Sequence, residues 1–291
     1  MNEQRYDEQI IKKLEDLILE FVRQVSVSTP PVLTHINRTT WENVDFNSQV
    51  GLCMKDENVK LTSVRFDSWK SVNKLRMLIK VISMIHQLMT SGRYATKRDL
   101  YYQDAEGIGS QPTLDDAVDN VSCMLQIPRW HLHILATSKG CVAGNLSFLD
   151  ADGSYVDCSK TKNGILVPSH IEALQQVHTT ARFLLIVEKD AVFQKLLDDN
   201  FCEHMKPCIL VTGKGFPDIN TRMLLNRIWR ENQLPMAILV DADSYGIEIM
   251  CVYKFGSRSL SFEAKFLTVP TINWLGILPS DIDRLAVPKE R

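Results

Sequence analysis

The chain has no long apolar run, no paired-cysteine spacing and no excess of charge of either sign. Each absence removes a class of protein. No stretch approaches the roughly 20 consecutive apolar residues needed to cross a bilayer. The N-terminus is charged and carries no signal-peptide core, so neither a membrane span nor export is expected. The seven cysteines include no Cys-x-x-Cys pair and no regular spacing. That excludes a zinc ribbon or a disulfide scaffold and fits reduced thiols in the cytosol or nucleus. Thirty-three basic residues stand against 35 acidic ones, for a net charge of −2 and a pI near 6.4. Composition therefore gives no sign of nucleic acid, and any DNA-binding surface must be a local basic patch. No tract reads as a nuclear-import cluster. The glycine turn at Val211-Thr212-Gly213-Lys214-Gly215-Phe216-Pro217-Asp218 lacks the Gly-x4-Gly-Lys-Ser/Thr spacing of a nucleotide P-loop.

What remains is a globular chain of 291 residues, 45% hydrophobic, with room for about two domains. Asp7 to Val25 reads as a strong helix. Ile10, Ile11, Leu14, Leu17, Ile18, Phe21 and Val22 form a stripe at helical spacing, opposite Lys12, Lys13, Glu15 and Arg23. Such a stripe either packs on its own body or docks another protein. Ser26 to Pro31 breaks the pattern and reads as a linker. A second helix spans Ser71 to Thr90, with Met77, Met84 and Met89 as core residues rather than a binding groove. A short helix starts at Thr96 and a third runs from Pro112 to Gln126. Strand-like residues His131 to Leu135 and a hairpin turning at Asp152-Gly153 follow. Helices followed by strands in this order are winged-helix-like. Asp115, Asp116 and Asp119 read as a solvated face of the third helix. His131 and His133 would share a strand face, but no further ligand lies at metal spacing, so a structural role is favoured.

From about Thr179 the pattern changes to alternating strands and helices. Strands are expected at 183–187, 208–212 and 237–240, with helices near Ala191–Asn200, Thr221–Asn232 and from Ile247. The expected fold class is mixed α/β: a winged-helix domain followed by a Rossmann-like domain with parallel strands. Two of the strands end in acid. Phe183-Leu184-Leu185-Ile186-Val187 runs into Glu188, and Ala237-Ile238-Leu239-Val240 runs into Asp241-Ala242-Asp243. Ligands of open α/β sheets bind at the carboxyl ends of strands. Residues two apart in extended chain share a face, so Asp241 and Asp243 should meet Glu188 at one point. Three crowded carboxylates repel unless a cation lies between them, and hard oxygen ligands select Mg²⁺ or Mn²⁺. The plain alternative for an Asp-x-Asp is a solvated strand end.

The helix at Ala95-Thr96-Lys97-Arg98-Asp99-Leu100-Tyr101-Tyr102 opens on a capping-box-like pair, Thr96 and Asp99. It places Tyr101 and Tyr102 on its first turns, with Arg98 one turn before Tyr102. A tyrosine hydroxyl can act as a covalent nucleophile when a base, metal or cation assists it. Arginine suits a phosphate with its planar fork. A Tyr-Tyr pair can equally be packing.

Read together and in order, these segments resemble one family. Thr96-Lys97-Arg98-Asp99-Leu100-Tyr101-Tyr102, Thr137-Ser138-Lys139-Gly140, Leu185-Ile186-Val187-Glu188-Lys189-Asp190, Val211-Thr212-Gly213-Lys214-Gly215, Val240-Asp241-Ala242-Asp243 and Trp274-Leu275-Gly276 form a series similar to that of the meiotic double-strand-break protein, the eukaryotic relative of the topoisomerase VI A subunit. The likeness runs from about Trp41 to the end. It implies a partner-docking helix and linker over 1–30, a tyrosine-bearing winged-helix domain over 31–160 and a Toprim metal-binding domain over 175–291.

The resemblance implies a chemistry as well. Tyr102 would attack a backbone phosphate of double-stranded DNA, leaving a 5′-phosphotyrosine and releasing a 3′-hydroxyl. Arg98 would hold the scissile phosphate, and Glu188, Asp241 and Asp243 would hold Mg²⁺ or Mn²⁺. Lys139, Lys214 and Phe216 would touch DNA, and Tyr101 would be auxiliary. A double-strand break needs two nucleophiles, so a C2 homodimer with composite sites is implied. A topoisomerase VI B-like subunit on the N-terminal helix, other break-forming accessory proteins and a nuclear location on meiotic chromosomes complete the implied setting. The chain departs from the family pattern at Ser244, where proline is usual. It also ends at Arg291, from which an incomplete Toprim domain is expected. Two alternatives stand beside this reading: a Toprim nuclease that uses water, and a non-cleaving DNA-binding or assembly subunit.

Overall fold

The computed structural model describes residues 3–286. They form two compact units, one of residues 3–45 and 54–136 and the other of residues 46–53 and 137–286.

The first unit is built on helices. Helix α1 (Glu3–Ser26) turns its apolar stripe inward: Ile10 and Leu14 are buried, and Ile11, Leu17, Ile18 and Phe21 pack on the same core. The stripe therefore serves this unit's own interior. Val22, expected in the stripe, is instead more than half exposed, as are Leu19 and, at the end of the helix, Val25. Strand β1 (Val32–Ile36) follows, and after the short hairpin strands β2 (Val44–Asn47) and β3 (Gly51–Met54), most of which belong to the second unit, β4 (Leu61–Arg65) pairs antiparallel with β1. None of these four strands is visible as a period-2 pattern long enough to expect from sequence. Helix α2 (Trp69–Thr90) is the unit's spine, burying Leu75, Met77, Leu78, Val81, Ile82, Ile85, Leu88 and Met89. Strand β5 (Ala95–Thr96), helices α3 (Lys97–Gln103), α4 (Ala105–Ile108) and α5 (Gln111–Leu125), and strand β6 (Ile134–Leu135) complete it, with β5 parallel to β6. The arrangement is winged-helix-like, in keeping with the sequence pattern.

Two local expectations fail here. Residues Arg129–Leu132 form a 3₁₀ turn, not a strand, and His133 closes it in a left-handed conformation. His131 and His133 therefore share no strand face. His133 is buried, with Nδ1 3.2 Å from the Arg93 carbonyl and Nε2 3.2 Å from Asp7. The acids of α5 are only in part a solvated face, since Asp116 is half exposed but ion-paired and Asp119 is largely withdrawn from water. Asp116 lies 2.6 Å from the Arg38 guanidinium, and Asp119 lies 2.5 Å from Lys97. Both cations come from other elements of this unit, which the sequence spacing does not reveal.

The second unit is a layered α/β body. Strand β7 (Cys141–Gly144) enters its main sheet, β8 (Ser147–Leu149) and β9 (Tyr155–Asp157) form the hairpin expected at Asp152-Gly153, and β10 (Ile165–Leu166) and β11 (Gln175–His178) follow. The βα alternation then begins: β12 (Phe183–Val187), α6 (Asp190–Asp198), α7 (Phe201–His204), β13 (Cys208–Thr212), α8 (Ile219–Asn232), β14 (Met236–Leu239), α9 (Ser244–Phe255), α10 (Ala264–Leu267), β15 (Asn273–Gly276) and α11 (Pro279–Arg284). The six-stranded sheet has the order β10-β7-β13-β12-β14-β15. Its β13-β12-β14-β15 section is parallel, and β7 and β10 add antiparallel at one edge. This is the Toprim-like layout expected from sequence. Residues 137–160, which the sequence pattern attaches to the first domain, fold with this unit because β7 pairs with β13. Residues 46–53 also belong here: the Phe46 ring packs edge-on against Phe255, and the Thr268 hydroxyl donates to the Val50 carbonyl at 2.5 Å.

Strands β12 and β13 are apolar and almost wholly buried on both faces, which is why they read as continuous hydrophobic runs. Central β12 pairs residue for residue with β13 on one side and with β14 on the other. The carboxyl ends of these three strands therefore lie side by side.

Candidate active site

In the first unit, Thr96 and Asp99 form a reciprocal capping box. The Thr96 N–H donates to Asp99 Oδ2 at 2.8 Å, and the Asp99 N–H donates to Thr96 Oγ1 at 3.1 Å. Hydrogen bonds from the Thr96 N–H and from its hydroxyl, the latter at 2.8 Å, hold the Asp99 carboxyl below the usual carboxylate range. Leu100 is the buried anchor of α3. Lys97 adds a second anchor on α5, donating to Asp119 at 2.5 Å and to the Asp115 carbonyl at 3.2 Å, while burial pushes its ammonium down. The helix is thus fixed by three successive kinds of contact. What it presents outward is Tyr102, 70% exposed, and Arg98, also exposed. Tyr101 turns toward the core, its ring centroid 5.7 Å from that of Tyr102. The unequal burial distinguishes the two tyrosines: Tyr102 is free to reach a ligand and Tyr101 is packed.

In the second unit, Glu188 follows β12 directly and Asp241 and Asp243 follow β14. The Asp241 N–H donates to Glu188 Oε2 at 2.9 Å, so the Glu188 carboxylate reaches the Asp241 backbone where adjacent strands end. Asp243 is the N-cap of α9, accepting from the Gly246 N–H at 2.7 Å. Gly246 is needed there because a Cβ would collide with the Asp241 carbonyl. The Lys189 ammonium pairs with Asp241 Oδ2. That hydrogen bond raises the Lys189 ammonium above its ordinary range, and the charges of Asp241, Glu188 and Asp243 act in the same direction. Among the described residues, no group of three or more His, Cys, Asp or Glu side chains is gathered closely enough to hold a metal in common. The expected meeting of three carboxylates at one point is thus not formed among the described residues: Glu188 accepts from the Asp241 backbone, the Asp241 carboxylate pairs with Lys189, and Asp243 is engaged by its own helix. The physical reason is the mutual repulsion of like charges, relieved here by backbone N–H groups and an ammonium. The donor set nonetheless fits a hard divalent cation: every candidate ligand atom is a carboxylate oxygen, and a cationic group already stands against Asp241.

The glycine turn after β13 is tied to the same place. The Gly215 N–H donates to the Glu188 carbonyl at 2.9 Å, and the Lys214 N–H donates to Thr212 Oγ1 at 3.1 Å. Lys214 and Gly215 are both left-handed, with φ of 54° and 85°. Two such residues in succession turn the chain sharply, leaving Phe216 41% exposed. Lys214 Nζ lies 3.3 Å from Asp190, and Lys139 Nζ donates to the Lys214 carbonyl at 3.3 Å. Lys139, Lys214 and Phe216 are therefore collected on one rim beside Glu188.

Sequence reasoning missed Asp218, which builds that rim. It caps α8 by accepting from the Thr221 N–H at 2.8 Å, and its other oxygen accepts from the N–H groups of Lys139 and Gly140 at 3.0 Å each. The signal was present, since an aspartate three residues before Thr221 at a helix start is an N-cap pattern. Its second role, holding the Thr-Ser-Lys-Gly turn, depends on a contact 78 residues away in sequence.

Two family models match the chain. One, described as "Type IIB DNA topoisomerase", covers residues 73–134, and the other, the Toprim domain of the topoisomerase 6 A-subunit/Spo11 group, covers residues 183–291. The chain is 50% identical over 282 residues to the meiotic recombination protein SPO11 of Mus musculus and 47% identical over 282 residues to that of Homo sapiens, matching 97% of this chain and 71% of each relative. It is also 40% identical over 232 residues to the DNA topoisomerase 6 A subunit of Arabidopsis thaliana, matching 79% of this chain and 54% of that protein.

Proposed function

Because the chain belongs to the topoisomerase 6 A-subunit/Spo11 family, we propose that it is a DNA-cleaving transesterase whose nucleophile is Tyr102. Family membership carries meiotic recombination and the nucleus as its setting. The observation that carries the finer reading is the presentation of Tyr102 and Arg98 together on the exposed side of a helix locked by the Thr96–Asp99 box and the Lys97–Asp119 pair.

In the proposed reaction the Tyr102 oxygen attacks a backbone phosphorus and loses its proton. A phosphotyrosyl bond to the 5′ side forms as the bond to the 3′ oxygen breaks, and that oxygen leaves as a hydroxyl after taking up a proton. No oxidant or water is consumed, and the energy of the phosphodiester is kept in the new ester. Arg98, on the preceding turn, is suited to bind the non-bridging oxygens and offset the charge that grows on them. Tyr101 supports the helix from the inner side. Glu188, Asp241 and Asp243 are the residues that would hold Mg²⁺ or Mn²⁺, which when bound supplies Lewis-acid stabilisation of phosphate and leaving oxygens. Lys139, Lys214 and Phe216 give the adjoining rim two cations and an aromatic face for the nucleic-acid backbone.

Two breaks on opposite strands need two tyrosines, so the active form is proposed to be a homodimer with each site shared between protomers. A topoisomerase VI B-like subunit is proposed to use α1, where Leu19 and Val22 are exposed. The test is to react the chain and its B-like partner with duplex DNA and Mg²⁺, denature the mixture and examine the 5′ ends. Protein attached to them supports the transesterase. Free 5′-phosphates identify a water-using nuclease, and uncut DNA in a stable complex identifies a non-cleaving subunit.

A further inference from the structure

Three lysines stand on the rim of the acidic site, and they are not equivalent. Lys139 reaches the Lys214 carbonyl, and Lys214 pairs with Asp190. Lys189 pairs with Asp241, one of the candidate metal ligands, through the carboxylate oxygen Oδ2. Lys189 is also the residue that joins Glu188 to α6, so its backbone is fixed while its side chain, 57% exposed, is free to swing.

We propose that Lys189 is an internal competitor for the divalent cation: its ammonium occupies the Asp241 carboxylate until a metal displaces it. The proposal rests on reading Glu188, Asp241 and Asp243 as the metal site. An ammonium and a divalent cation cannot both claim the same carboxylate oxygen at contact distance, because two cations that close repel. The repulsion among the acids of the apo site is therefore partly offset by the chain itself. Metal binding must break an ion pair, which lowers apparent metal affinity. The displaced ammonium then becomes an unpaired cation on the rim that carries Lys139 and Lys214. Lys189 is thus a positioning residue for Asp241 and sets the metal concentration at which the site fills.

The experiment is a Mn²⁺ titration of the full chain without DNA, followed by electron paramagnetic resonance of free Mn²⁺, for wild type, Lys189→Met, Lys189→Arg, Lys214→Gln and Asp241→Asn. Removing a solvent-exposed ion pair of this kind should tighten Mn²⁺ binding by about three- to fivefold. Lys189→Met is expected to show that gain, and Lys189→Arg, which keeps a cation in reach of Asp241, to bind like wild type. Lys214→Gln removes an equal charge from the same rim without freeing Asp241, so it should change affinity much less. Equal tightening by Lys214→Gln and Lys189→Met would reduce the effect to net charge and overturn the proposal. Unchanged affinity in Lys189→Met, while Asp241→Asn still weakens binding, would overturn competition and leave the metal site standing. If Asp241→Asn binds Mn²⁺ as wild type does, the metal site itself fails, and the proposal with it.

Discussion

Lys97 and Asp119 are joined at 2.5 Å between the first turn of α3 and the middle of α5, with both side chains largely withdrawn from water. The pair fixes the rotation of the helix that presents Tyr102. Asp119→Asn keeps the shape but leaves the Lys97 ammonium without its carboxylate. Breaking a largely buried pair on one side is costly, and about 2–3 kcal/mol of stability should be lost, read as a lower midpoint in urea unfolding. A melting curve identical to wild type would show that the pair contributes nothing to the helix seat.

The capping box gives a pH dependence of known sign. The Asp99 carboxyl is held below its ordinary value of 3.8 by hydrogen bonds from Thr96. A depressed carboxyl contributes stability that is fully present above the unfolded-state value and is lost as pH falls through the folded one. Wild type should therefore lose stability below about pH 4 more steeply than Asp99→Asn. At neutral pH that variant should cost about 0.5–1 kcal/mol through the weakened cap. The two stability curves, measured by denaturant titration from pH 2 to 7, should converge at the acid end.

Asp243 has two duties, and two substitutions separate them. It caps α9 through the Gly246 N–H and is a candidate metal ligand. Asn caps a helix nearly as well as Asp but carries no charge, so Asp243→Asn should melt like wild type in the metal-free state and lose most of the stabilisation by Mg²⁺. Asp243→Ala loses both, with an additional cost of about 1 kcal/mol. Thermal shifts with and without Mg²⁺ check both arms.

Helix α1 also divides its faces. Leu14 is 1% exposed in the core of the first unit, so Leu14→Ala should destabilise the isolated chain by about 2–5 kcal/mol. Leu19→Asp combined with Val22→Asp alters only exposed positions and should leave the melting temperature unchanged while abolishing co-purification with a topoisomerase VI B-like subunit. A double variant that still co-purifies would move the contact to another surface.

Much of this architecture was legible because its signals are local. The runs 183–187 and 208–211 are apolar throughout, the first bounded by Glu188 and the second by Thr212-Gly213, so both strands and the acid-bearing end of the first follow from sequence. The Thr96–Asp99 box is likewise local. What escaped depends on distant partners. The two-residue strands Ala95–Thr96 and Ile134–Leu135 exist only because they pair with each other. Cys141–Gly144 is a strand because β13 offers it an edge. Asp116 and Asp119 look unpaired until Arg38 and Lys97 are brought to them. The Lys189–Asp241 contact joins residues from adjacent strand ends, and nothing in the spacing of either motif announces it.

The central claim is that Tyr102 is the nucleophile. Its most direct test is a DNA-cleavage reaction with Mg²⁺ and the B-like partner, denatured and assayed for protein attached to 5′ ends. Wild type and Tyr101→Phe should yield the adduct, while Tyr102→Phe, altered only at an exposed hydroxyl, should fold and bind DNA normally and yield none. Adduct of undiminished amount from Tyr102→Phe would contradict the account.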